Sequence, residues 1–219
     1  MKTLKIELIH DLVCSWCPIG YNNLKQALIN LNIEAELYFL PSELNPHMNE
    51  LGEEIQAHLA SRYGWSEAKQ KDYREHLLAV ATEAGVAMDF SKRTHYYNSN
   101  KGHRLMHYSE GHNKQQAMNE LLMDAYFKRG LDINNTKVLL DLAEQLGLDR
   151  TQAEKALTSD EVTQALALKQ KRVKSLGLNS VPAFILNGDT LITGSNSVGF
   201  FEETLVALML KAEPINQAS

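Results

Sequence analysis

Apolar and polar residues trade places with a period of two near both ends of the chain and with a period of three to four through its middle. Leu4, Ile6 and Leu8 alternate with Lys5 and Glu7, which predicts a strand over 3–10. Ile19, Leu24, Leu28 and Ile29 then recur at helical spacing to about Asn30, and Asn30 and Asn32 supply turn residues. Ile33, Ala35, Leu37 and Phe39 alternate with Glu34, Glu36 and Tyr38, a second strand that stops at Pro41. A strand–helix–strand unit of this length makes its strands parallel and its crossover right-handed. From Ser42 the period changes, and helices are predicted over 50–62, 66–84, 100–110, 114–129, 135–146 and 150–158. Ser66 and Asp149 stand where N-caps belong, and Gly85, Gly130 and Gly147 where helices stop. A helix from Asp160 to Leu176 ends at Gly177. The strands Ala183–Leu186 and Thr190–Thr193 flank Asn187-Gly188, a strong hairpin signal, and an amphipathic helix over 197–212 follows. The expected architecture is therefore α/β, with residues 1–42 and 160–213 as two pieces of one domain, 43–159 as an all-helical insertion, and 214–219 as a frayed tail.

Composition narrows the class without naming a chemistry. The chain has 219 residues, is 44% hydrophobic and 22% charged, and carries a net charge of −5. That acidity, with Lys and Arg scattered, argues against nucleic acid as a partner. No run of about 18 apolar residues would span a membrane, and the N-terminus lacks a secretory pattern, so the expected location is the cytoplasm.

The candidate chemistry is Cys14-Ser15-Trp16-Cys17, the only two cysteines present, placed where the first strand gives way to the first helix. A helix N-terminus offers unpaired N–H groups and the positive end of the dipole, which favours a thiolate at the first cysteine. The thiolate is the attacking species in thiol–disulfide exchange, so Cys14 is expected exposed as nucleophile and Cys17, one turn in, covered as the resolving thiol. Two rivals are weaker. A structural disulfide closing so short a loop stabilises little. A zinc site would need His103 and His107 about 85 residues further on, far from finger-like spacing. His95, His103, His107 and His112 read instead as a polar surface, and no metal site is expected. Pro18 falls in the first turn of its helix, where a missing N–H costs little.

On Asp11-Leu12-Val13-Cys14-Ser15-Trp16-Cys17-Pro18-Ile19-Gly20, on Asn134 through Leu148, and on Leu176-Gly177-Leu178-Asn179-Ser180-Val181-Pro182-Ala183-Phe184, the chain resembles the DsbA family. That family has a thioredoxin-like fold with a large helical insertion, and the likeness is closest to its FrnE-like subgroup. The resemblance implies a protein-disulfide oxidoreductase with Cys14 and Cys17 catalytic. It implies a cis-proline at Pro182 beside them, with Val181 offering backbone hydrogen bonds to substrate. Ser15 stands where the subgroup usually has proline, and Thr193-Gly194-Ser195-Asn196 departs from its usual Ser-Gly-Ala-Gln. Ser15 and Trp16 complete the expected substrate-binding set, although Trp16 serves equally as a cover for Cys17. No bound cofactor is implied; glutathione is a candidate redox partner, and the substrate a disulfide-containing protein or small thiol. Alternatives are a glutathione-linked transferase or isomerase of the kappa-class type, which tends to carry serine in place of Cys14, and a non-catalytic binding module with a groove between insertion and α/β domain.

Overall fold

The computed structural model describes residues 3–212, so the tail at 214–219 lies outside the described residues. β1 (Leu4–His10) is followed by α1 (Trp16–Asn30) and β2 (Ala35–Pro41), and β1 pairs in parallel with β2 from Leu4 opposite Ala35 to His10 opposite Pro41. The chain then leaves the sheet. It forms β3 (Glu53–Glu54), α2 (Ile55–Tyr63), α3 (Glu67–Glu83), β4 (His95–Tyr96), α4 (Asn100–Glu110), α5 (Gln115–Met123), α6 (Thr136–Gln145) and α7 (Arg150–Thr158). It returns through α8 (Asp160–Ser175), β5 (Ala183–Leu186), β6 (Thr190–Thr193) and α9 (Val198–Ala212). The sheet order is β2-β1-β5-β6, with β5 antiparallel to both neighbours. This is a thioredoxin-like α/β fold carrying a helical insertion.

β1 is an inner strand with both faces covered. Ile6 and Leu8 enter the main core with Leu24, Phe184 and Phe201, whereas Ile9 joins Leu40, Ala183, Ile185 and Val173 of α8 on the opposite face. The fully buried rings of Phe184 and Phe201 meet edge to face at 5.0 Å and pin α9 to β5. The hairpin turn places Asn187 at φ +50° and Gly188 at φ +86°, the conformation Asn-Gly favours. Ser66 and Asp149 accept the N–H groups of Lys69 and Gln152 as caps.

The insertion differs from the periodicity in two places. Residues 50–52 do not begin a helix: Gly52 at φ +76° turns the chain, Glu53–Glu54 pair with His95–Tyr96, and Glu54 caps α2 by accepting the Ala57 N–H. The helix expected over 114–129 is α5 followed by a π-helical turn over Asp124–Lys128, which Gly130 ends at φ +66°. That turn keeps Ala125, Tyr126 and Phe127 all buried, more consecutive burial than an amphipathic helix supplies.

Candidate active site

The loop from β1 to α1 is held by its own backbone and by the insertion. Cys14 N–H donates to Asp11 O and Cys17 N–H to Cys14 O, each at 3.1 Å, which turns the chain into α1. Asp11, fully buried, accepts the Val13 N–H at 3.4 Å and the Leu44 N–H at 2.6 Å, joining the loop to the segment leaving β2. His103 of α4 faces it at 3.4 Å from Nε2 to Oδ1. α4 passes close to this loop at Gly102, where a Cβ would stand 2.5 Å from Leu12 Cδ1. Burial works to raise the Asp11 carboxyl, but His103 and the Leu44 N–H outweigh it and hold it below the usual carboxylate range. His10 beside them has neither ring nitrogen partnered, and burial, reinforced by His103, drives it down to about 3. His103 is 2% exposed, which corrects its assignment to a polar surface; His112 does lie on the surface and His95 and His107 are intermediate.

Both thiols are free. Cys17 is completely buried, and burial together with the adjoining Cys14 thiol pushes it well above the ordinary thiol range. Cys14, expected exposed, is 6% exposed. The reason is a cleft of about 270 Å³ that the insertion closes over it, with Leu44, Tyr63, Trp65, Tyr73 and Tyr96 in its walls. Cys14 lines that cleft and Cys17 does not. The Cys14 thiol donates to Val181 O at 3.7 Å, and the Val181–Pro182 peptide bond is cis. Thus Cys14, Ser15, Trp16, Val181 and Pro182 converge although the last two lie at the far end of the chain. Trp16 is partly buried, and its indole N–H donates to Tyr73 Oη at 3.0 Å.

α1 is fixed from three sides. Tyr21 Oη donates to Glu120 of α5 at 2.7 Å, Asn22 reaches Ala84 O, and Asn23 Nδ2 donates to Asn196 O at 2.9 Å. At Gly20 it passes the cis-proline and the segment after β6 so closely that a Cβ would lie 3.0 Å from Pro182 Cγ and 3.2 Å from Ser195 Cα. Among the described residues no group of three or more His, Cys, Asp or Glu side chains is arranged to hold a metal ion, and His103 is engaged with Asp11 instead.

Sequence reasoning missed Tyr73, Tyr96 and the buried Arg93, which line the cleft or the cavity beside it. A signal was present: residues 63–97 hold six of the sixteen aromatic side chains, a density that a purely structural helical block does not require.

The family model described as a DSBA-like thioredoxin domain matches residues 5–206. An uncharacterized protein of Bacillus subtilis, YwbO, is 25% identical over 205 residues, covering 93% of this chain and 96% of its own length. The structure of a probable DsbA oxidoreductase from Streptomyces coelicolor superposes with a TM-score of 0.88 at 21% identity, over 99% of this chain and 94% of that one. The cytosolic disulfide reductase DsbM of Pseudomonas aeruginosa, solved with GSH, superposes with a TM-score of 0.66 at 17% identity, over 94% and 98%.

Proposed function

The chain belongs to the family of DSBA-like thioredoxin domains, and from that premise we propose that it is a thiol–disulfide oxidoreductase working through Cys14 and Cys17. The observation that carries this reading is the asymmetry of the pair: Cys14 borders the cleft and Cys17 is sealed behind it. Cys14, as thiolate, attacks one sulfur of a substrate disulfide; a Cys14–substrate bond forms and the other substrate sulfur leaves as thiolate. Cys17 then attacks Cys14 Sγ, its proton passing to the second substrate sulfur as the mixed disulfide breaks, so that this half departs as a thiol. Two electrons have passed from protein to substrate, and the same steps reversed oxidise a dithiol. The high burial of Cys17 keeps it protonated until the mixed disulfide forms, which keeps the first attack with Cys14.

Val181 O, which accepts the Cys14 thiol in the reduced state, is freed when Cys14 becomes bonded to substrate, so Val181 and Pro182 form the wall against which the substrate lies. Ser15 and Trp16 border the cleft beside Cys14. The recycling partner in this reading is a small thiol such as glutathione, in a reducing compartment, with the cytoplasm as the assigned location. Among the described residues no helix is long and apolar enough to cross a membrane.

The test is intact-protein mass after exposure to 2-hydroxyethyl disulfide. Wild type acquires the internal disulfide, Cys17→Ser accumulates one adduct on Cys14, and Cys14→Ser accumulates none. An adduct on Cys17 in the Cys14→Ser protein refutes the assignment of roles.

A further inference from the structure

Beside the cleft over Cys14 lies a second cavity of about 90 Å³, and Ser15, Tyr73 and Tyr96 border both spaces. Its volume is several times the roughly 10–15 Å³ one water needs. Arg93 lines it and is only 3% exposed. The guanidinium is held among four rings, with its carbon 5.3 Å from the centroid of Phe90, 5.2 Å from Tyr96, 4.7 Å from Tyr126 and 4.9 Å from Phe127. One Nη donates to Val13 O at 3.4 Å, the residue before the nucleophile, and Nε has no partner.

A buried cation ordinarily has a carboxylate against it, because an uncompensated buried charge is costly. Among the described residues Arg93 has none. Asp89, the nearest acid on its own segment, is engaged with Ser91 and Lys92. Glu54 on the cavity wall is exposed and caps α2. The other charge on that wall is Arg74, so the cavity is cationic in a chain whose net charge is −5. Burial opposes the Arg93 charge, but Tyr126 and Tyr96 more than offset it and the group stays protonated.

We propose that Arg93 is the anion anchor of the substrate site: the protein takes a low-molecular-mass disulfide or mixed disulfide bearing a carboxylate, which docks on Arg93 while its sulfur reaches Cys14. The inference rests on the exchange chemistry proposed above and adds the substrate's class to it. A cleft that leaves Cys14 6% exposed admits a narrow molecule and excludes a disulfide on the face of a folded protein. Charge-assisted hydrogen bonds to such a carboxylate are directional and sizeable where water is excluded.

The test compares the rate of oxidation of the reduced full-length chain by glutathione disulfide and by its fully esterified form, with 2-hydroxyethyl disulfide as a neutral probe of the chemistry. Wild type prefers the acid to the ester by about 10- to 100-fold, the worth of one to two charged hydrogen bonds. The net negative charge of the chain pushes the other way, so this preference cannot come from the overall field. In Arg93→Gln the ratio falls to near one, and Arg93→Lys keeps part of it. A ratio taken within one preparation is unaffected by a fraction of unfolded protein. Equal rates with acid and ester in wild type, reaction with the neutral probe but neither glutathione form, or a wild-type ratio retained in Arg93→Gln overturns the inference. Failure of wild type to react with the neutral probe removes the oxidoreductase reading itself.

Discussion

Burial of the His10 ring gives this protein an acid-labile share of its stability that one substitution removes. In the unfolded chain it titrates near 6.5, and in the fold burial first, then the charge of His103, carries it down to about 3. Below the unfolded value the unfolded chain binds a proton that the native chain refuses, so stability falls as pH falls. The loss runs from about pH 6.5 to about pH 3 and accumulates at about 1.4 kcal/mol per pH unit. Between pH 7 and pH 4.5 His10 alone therefore removes about 3 kcal/mol, a large share of a typical domain's stability. His10→Phe keeps a ring in contact with the ring of Phe39, 5.4 Å away, and with His103 at 5.6 Å, and it buries no unpartnered nitrogen. Urea unfolding of the reduced protein at both pH values reads the difference. Wild type loses about 3 kcal/mol more than the variant over that range. An identical loss in both proteins refutes the argument, because it assigns the acid sensitivity to other groups.

Two further outcomes are expected. Tyr73→Phe removes the acceptor of the Trp16 indole N–H, formed at 3.0 Å, and lowers stability by about 1 kcal/mol in urea unfolding while shifting Trp16 emission; unchanged stability and emission would show that the indole is held by packing alone. Gly177→Ala, at φ +64° with open space beside it, costs about 1–2 kcal/mol for its left-handed backbone, whereas Gly130→Ala at φ +66° places a Cβ 2.3 Å from Lys92 O and costs about 1–3 kcal/mol beyond that. Thermal midpoints that order the two variants the other way would contradict the packing at Gly130.

How far the sequence speaks depends on the range of the interaction. The strands at 4–10 and 35–41 alternate and the helix between them keeps its period, so this unit folds as it reads, and Asn187-Gly188 specifies its own hairpin. Cys14 and Cys17 announce themselves by spacing and position. The exposure of Cys14 is different, because it is set by Tyr63 and Tyr73, from two helices, and Trp65, from the loop between them, whose docking no local period encodes. His103 shows the same limit. Among polar neighbours it reads as surface, and only the close approach of α4 at Gly102 turns it inward to Asp11. β3 and β4, two residues each and about forty residues apart, carry no periodic signature at all.

The sheet order also sets a schedule for synthesis. β1 is completed on one side by β2, which follows almost at once, and on the other by β5, which waits for nearly the whole chain. Roughly 170 residues separate Cys17 from Ala183, which at ordinary elongation rates is roughly 10–30 s. Throughout that interval the thiol pair has left the ribosome with no Val181 carbonyl to receive it and no completed sheet behind it. The nascent protein thus passes through a stage at which two thiols that the finished fold buries stand uncovered, and it ends only when β5 closes the sheet.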